Sequence, residues 1–439
     1  MSYTPEPALA DAAYRKVSLR LIPFLMLCYL IAYLDRVNVG FAKLQMNADL
    51  QFGDAVYGLG AGMFFVGYFL FEVPSNLLLH RLGARVWIAR IMVSWGLVSM
   101  ATMSVDSAPS FYAMRFLLGL AEAGFFPGII LYLTYWYPAH RRGRVTALFM
   151  SAVALSGVVG GPISGWILQG MSGLHGLAGW QWLFLIEGLP AVVLGVVVLF
   201  YLPDRIASAR WLDAAERHLL QAAIDAESQA KPQASVLVVL RGARTWHLAA
   251  IYFCLVAGLY GVGFWLPTLI KNTGVDSPLS IGLLSALPYA CAVVGMILIA
   301  HSADRRAERR LHLAIPTALG GLGLILATLW SHDSVLGLAA LSLATLGIVS
   351  SLPLFWSLPT AHLSGYAAAA GIGLINSIGN LAGFASPFLV GWLKESTQTL
   401  AAGMIVLAVL LWLGAVLTLA IPAASSGSET LNPVGKPKH

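Results

Sequence analysis

Residues 21–39 read LIPFLMLCYLIAYLDRVNV, an apolar run that carries no charge until Asp35 and Arg36. About twenty apolar residues are what a helix needs to cross a bilayer. In lipid only helices and closed barrels satisfy the backbone, and a run this long and uniform is helical. Eleven further runs follow: Tyr57–Leu79, Val86–Ser104, Phe111–Tyr132, Val145–Gln169, Gln181–Leu202, Trp246–Ile270, Leu279–Ala300, Leu311–Trp330, Val335–Pro359, Ala367–Trp392 and Leu400–Ile421. The sequence therefore predicts an all-α membrane protein with twelve transmembrane helices.

Composition agrees with that reading. Of 439 residues, 58% are hydrophobic and 10% charged, against about 25% charged in soluble domains. The +6 net charge comes from basic residues at the ends of apolar runs, so nucleic-acid binding is not implied. Lys43, Lys271 and Lys394 fall in loops on one face. Arg36 and Arg115 lie within spans. Most of the other basic residues occupy the termini and the loops of the opposite face, which places both termini in the cytoplasm. Cys28, Cys254 and Cys291 each sit inside an apolar run, with neither a disulfide nor a metal pattern. The polar N-terminus shows no cleavage site, so no removable signal peptide is expected.

The long polar stretch from Asp204 to Arg244 splits the spans six and six. It predicts an N-terminal bundle (1–203), a cytoplasmic linker with an amphipathic helix (204–245) and a C-terminal bundle (246–439). In the linker, Leu212, Ala215, Leu219 and Ala223 recur at helical spacing, with Asp213, Glu216, Arg217 and Asp225 mostly off that stripe. A basic turn recurs after the second span of each half. His80, Arg81, Gly83 and Arg85 form the first, and Asp304, Arg305, Arg306, Arg309 and Arg310 the second. That internal repetition is a common plan for carriers.

An ionisable side chain at membrane depth costs about 2.5–3.5 kcal/mol, so each requires a reason. Asp35, Arg36, Glu72, Arg115, Glu122 and Glu187 all belong to the first half. The predicted spans of the second half contain no Asp, Glu, Lys or Arg, and the interior polar groups there are Tyr289, Trp356, Ser357, Thr360, Asn376 and Asn380. Arg115 and Glu122 stand two turns apart on one helix face, about 10 Å along the axis, with Gly119 between them to admit a neighbouring helix. An arginine facing a cavity suits a carboxylate, which its planar fork binds through two hydrogen bonds. An intramembrane carboxylic acid is suited to carrying protons, with Glu122 the first candidate and Asp35 the second. Mutual neutralisation within Arg115–Glu122 or Asp35–Arg36 is the competing reading. For Glu72 and Glu187 a hydrogen bond between helices is the leading one. Gly157, Gly161 and Gly165 line one face of the fifth span, and Gly379 and Gly383 one face of the eleventh, as packing features. Trp136, Tyr137, Trp180 and Trp182 sit at span ends as expected of interfacial anchors. No nucleotide-binding, zinc or nucleophile motif appears, so neither an enzyme nor a cofactor is expected.

Several of these motifs resemble the major facilitator superfamily: the two basic turns, Arg115-x-x-x-Gly119 with Gly124, and Gly157-x-x-x-Gly161-Pro162. Within it, Tyr33-Leu-Asp35-Arg36-Val-Asn38, the run from Arg115 to Pro127 and Gly373-Leu-Ile-Asn376 resemble the anion:cation symporter family. Phe71-Glu-Val-Pro-Ser-Asn76 and Leu131 to Pro138 resemble its bacterial tartrate, phthalate and hydroxyphenylacetate carriers. The resemblance runs from about Leu21 to Pro422. It implies two six-helix bundles, alternating access and import of a small organic anion with protons across a bacterial inner membrane, by a monomer. It assigns proton coupling to Asp35 and Glu122, and substrate binding to Arg36, Arg115, Tyr33, Tyr68, Trp356 and Asn376. His80, Arg81, Gly83, Arg85, Asp304 and Arg305 become gating residues. Val153 replaces a glutamine that the family's sugar-acid carriers use for substrate, and His80 replaces the usual aspartate of the first turn. A tartrate-like dicarboxylate and an aromatic acid both fit. An exporter, an anion exchanger or a non-transporting membrane sensor of the same fold remain alternatives.

Overall fold

The computed structural model describes residues 7–229, 241–306, 308–362 and 365–421. It contains twelve helical segments long and apolar enough to cross a membrane. The first is α1 (Pro7–Val37) running on into α2 (Val39–Asp49), and the next two are α3 (Asp54–Leu82) and α4 (Ala84–Ala101). The fourth is α5 (Ala108–Glu122) with α6 (Phe125–Thr134). The fifth is α7 (Ala139–Met150) with α8 (Ala152–Gly170), and the sixth is α9 (Gly179–Tyr201). After the surface helix α10 (Ala214–Gln229) come α11 (Ala243–Asn272), α12 (Pro278–Arg306), α13 (Arg310–Leu329), α14 (Ser334–His362), α15 (Gly365–Thr397) and α16 (Ala401–Leu419).

Each set of six spans packs on itself, α4 against α9 and α3 against α5 in the first, α13 against α14 and α16 in the second. The two sets meet along two seams, α3 on α15 and α8 on α12. Glycines close one end of both. A Cβ on Gly161 would sit 2.6 Å from the Gly282 carbonyl oxygen, and one on Gly282 would sit 2.3 Å from that of Gly161. The backbones therefore touch with no room for a side chain. Toward the other end of α15, a Cβ on Gly373 meets nothing within 4 Å. Gly124, in the left-handed region at φ +83°, breaks the fourth span.

Several expectations change. The first span does not end at Val39 but extends to Asp49. Asp35 and Arg36 are buried within it. Lys43 is not a loop residue: it lies on α2, buried. Lys271 is in the last turn of α11 and Lys394 in that of α15. Trp136, Tyr137 and Trp180 are enclosed by protein and do not face an interface. Trp136 stacks on Trp211, Tyr137 shares a 2.9 Å hydrogen bond with Ser18, and the Trp180 indole donates to Asp49 at 2.8 Å. On α10 the buried face carries Glu216 and Leu220, while Ala215 is exposed. Glu216 turns inward because Lys16 of α1 pairs with it. Part of the linker (230–240), the tail from Pro422 and the side chains of His80 and Thr360 lie outside the described residues.

Gly282→Val should separate the α8–α12 seam. We expect a loss of thermal stability equivalent to about 1–3 kcal/mol, the usual range for overpacking, measured by melting the purified protein in detergent.

Candidate functional site

Where α1, α3, α6, α7 and α8 face α11, α14 and α15, side chains from both sets of spans line a small cavity. Its wall includes Tyr29, Tyr33 and Arg36 of α1, Tyr68 of α3, Tyr252 and Tyr260 of α11, and Asn376 and Asn380 of α15. A second small cavity, whose lining includes Leu34, Val37, Gly157, Gly161, Leu266 and Tyr289, is more apolar and lacks a charged group.

Arg36 is the charged member of the first wall, and α1 carries it there with Tyr29 and Tyr33 on nearly the same helical face. Its Nη2 pairs with the buried Glu122 carboxylate, and its Nη1 donates to the Tyr260 hydroxyl at 2.8 Å. The guanidinium also lies over the Phe64 and Tyr68 rings, 5.2 and 5.4 Å from their centroids. Glu122 keeps one oxygen, and Tyr33 its hydroxyl, without a hydrogen-bond partner. A buried ion pair repays its desolvation only with good geometry and added hydrogen bonds. Here one phenol from the other half of the chain adds to it.

The competing reading, a direct ion pair between Arg115 and Glu122, is not what the structure shows. Arg115 and Glu122 share a helix, yet Glu122 pairs with Arg36. Arg115 is fully buried one layer behind the wall, where Nη2 donates to the Arg36 carbonyl at 3.4 Å and the guanidinium lies 5.3 Å from the Phe64 ring centroid. Gly119 makes that layer possible, because a Cβ there would fall 1.8 Å from the Phe64 carbonyl oxygen. Asp35 points away from Arg36 into the first six spans. Trp95 Nε1 and Ser99 Oγ each donate to it at 3.0 Å, and Asn38 Nδ2 at 3.5 Å.

Tyr33, Tyr68 and Asn376 line the cavity as expected, and so does Val153. Trp356 packs edge-on to Tyr252, 4.9 Å between centroids. Glu187 accepts from Ser164 at 2.7 Å, the hydrogen bond between helices that was anticipated. Glu72 accepts from Asn376 and Asn380 across the α3–α15 seam. The basic turns differ in their contacts despite their likeness in sequence. At the first, Gly83 adopts φ +92° and the Arg85 amide donates to Asp204 at 2.9 Å. At the second, Arg309 pairs with Asp304 at 3.4 Å, while Arg305 is exposed.

One cluster escaped the sequence. At the closed end, Asp54 holds Lys43 at 2.7 Å and Lys394 of the other half at 2.9 Å. The Lys43 ammonium sits 3.7 Å from the Trp265 ring centroid, also of the other half. Hydropathy breaks at these residues, and only their pairing keeps them inside. The low charge around them was the one available signal. Among the described residues no group of three His, Cys, Asp or Glu could hold a metal.

Twelve helical segments long and apolar enough to cross a membrane, meeting around a partly polar cavity, define a polytopic membrane protein. The sequence profile of the Major Facilitator Superfamily matches residues 25–387, and the chain belongs to that family; it is a transporter and not an enzyme. It is 53% identical to an Agrobacterium vitis protein named "Putative tartrate transporter", over 93% of this chain and 94% of the relative. It is 44% identical to an Acinetobacter baumannii "Quinolone resistance transporter", over 95% and 96%. Its fold matches the xylose transporter XylE from E. coli in a partially occluded inward-open conformation. That match has a TM-score of 0.73 at 14% identity, over 93% of this chain and 99% of the other.

Removing either partner of the Arg36–Glu122 pair strands a buried charge, at a cost of about 3–5 kcal/mol. Arg36→Ala and Glu122→Ala should therefore each lower the melting temperature more than the double variant does. Additive losses would show that the two are not energetically coupled.

Proposed function

We propose that the chain imports a small organic carboxylate with protons by alternating access across a bacterial inner membrane. The observation that carries this reading is Arg36: a cation in the cavity wall, already occupied by a carboxylate that a substrate could replace. Arg36 cannot serve Glu122 and a substrate equally. A proton on Glu122 removes the competing charge and frees the guanidinium fork for the substrate carboxylate. Loading proton and anion thus become one event. Asp35, held by its own donors, serves as the second proton site. Arg115 supports Arg36 from behind, Tyr33, Tyr68 and Asn376 complete the wall, and Trp356 braces Tyr252. Sequence similarity to the Agrobacterium vitis protein favours a tartrate-like acid.

In this reading residues 1–203 and 246–439 rock about the cavity, as a monomer with both termini cytoplasmic. The Asp54 cluster must part when the closed end opens. Arg81, Gly83, Arg85, Asp304 and Arg305 act at the basic turns, and His80 belongs to the same proposal. Each net positive charge carried inward gains about 2.3 kcal/mol per 100 mV, so protons in excess of anion charge would drive accumulation. Similarity to the Acinetobacter baumannii relative supports a second reading, export of an aromatic carboxylate.

Proteoliposomes with an imposed pH gradient and voltage decide between them. Import predicts tartrate accumulation with co-transported protons; uptake indifferent to both gradients would sink symport. Glu122→Gln should abolish accumulation yet retain tartrate exchange, whereas equal loss of both would make Glu122 structural. Asp54→Asn should raise labelling of a cysteine placed at Leu266, a buried residue of the second cavity's wall on α11, by a membrane-impermeant maleimide. Unchanged labelling would count against a gate at Asp54.

A further inference from the structure

Glu72 takes no part in the exchange at Arg36. It lies on α3 one turn beyond Tyr68 and is 4% exposed. Asn376 Nδ2 donates to its Oε1 at 2.7 Å, and Asn380 Nδ2 donates to its Oε2 at 3.2 Å. Both asparagines come from α15, in the other half of the chain, four residues apart and so on one helix face. Among the described residues no cation pairs with Glu72. Each carboxylate oxygen is therefore held by one neutral amide, and that clasp bridges the α3–α15 seam.

The same two asparagines line the cavity, as Arg36 does. An ionised carboxylate can only accept hydrogen bonds, and the amide NH₂ can only donate. What satisfies this amide pair is an acceptor, and a carboxylate presents two oxygens as Glu72 does. A buried donor left without an acceptor is costly, so a substrate that displaces Glu72 has to bring the replacement itself.

Resting on the carboxylate-carrier reading, we propose that Glu72 is an internal competitor for the substrate's second carboxylate. In the empty carrier it occupies Asn376 and Asn380. A dicarboxylate places one end at Arg36 and the other at the amide pair, displacing Glu72 and loosening α3 from α15. A monocarboxylate reaches Arg36 but leaves the clasp shut. Asn376 and Asn380 thus create the preference for two carboxylates over one, and Glu72 is a specificity determinant that lowers it.

The probes are L-tartrate and L-threonate, four-carbon hydroxy acids with two carboxylates and one, bound to the purified protein in nanodiscs. Glu72→Gln should tighten tartrate about five- to tenfold, the scale of one net hydrogen bond, and leave threonate unchanged. Asn376→Ala with Asn380→Ala should erase the difference between the two acids. Tartrate binding whose ratio to threonate is unaltered by Glu72→Gln overturns the role of Glu72 alone. Failure of wild type to bind either acid overturns the carboxylate reading and the competitor with it. Hydrogen–deuterium exchange of the wild type needs no variant to fold. Tartrate, but not threonate, should raise exchange in α3 around Glu72 and in α15 around Asn376, and identical exchange with both acids overturns the clasp.

Discussion

Arg36 is held by a carboxylate from the fourth span and a phenol from the seventh, and the central cavity is arranged around that contact. A guanidinium at membrane depth is tolerable only when paired or solvated. Glu122 supplies the pair, and the break at Gly124 starts a new helix just beyond it. Arg115 backs the Arg36 carbonyl, and both guanidinium groups lie within 5.3 Å of the Phe64 ring centroid. The first six spans thereby hold the charged group of the cavity wall, while the second six contribute neutral side chains.

The seams divide labour with that site. Glycine backbones on α8 and α12, and on α3 and α15, close one end by direct contact, which leaves nothing soft to compress. Packed interfaces of this kind tend toward discrete arrangements and resist continuous deformation. Polar groups stand at intervals along the same seams, the Asp54 cluster at the closed end and the Glu72 clasp deeper in. Each can break only by exchanging partners, and that is how chemistry at a site can bias the packing of helices.

Much of this was legible before any fold was known. The run 21–39 and its eleven successors marked the spans, and the scarcity of membrane charge singled out Asp35, Arg36, Glu72, Arg115, Glu122 and Glu187. What escaped was partnership. Helical spacing put Arg115 beside Glu122, but a pair on one helix competes with every neighbouring helix, and Arg36 reaches Glu122 from another span. The end of the first span was misplaced for a related reason. Lys43 and Gln45 lower hydropathy, yet Asp54 satisfies one and the Leu168 carbonyl the other, at 3.0 Å.

The sequence alone determined the number of spans, their helical state, the superfamily likeness and the uneven distribution of charge. These follow from local composition, because a bilayer judges each segment largely by itself. Only the tertiary structure decided that Arg36 lines the cavity while Arg115 stands behind it, that Glu72 is held by two amides of the other half, and that Asp54 bridges two lysines. Those facts depend on which helix faces meet, and close packing between segments far apart in the chain sets that.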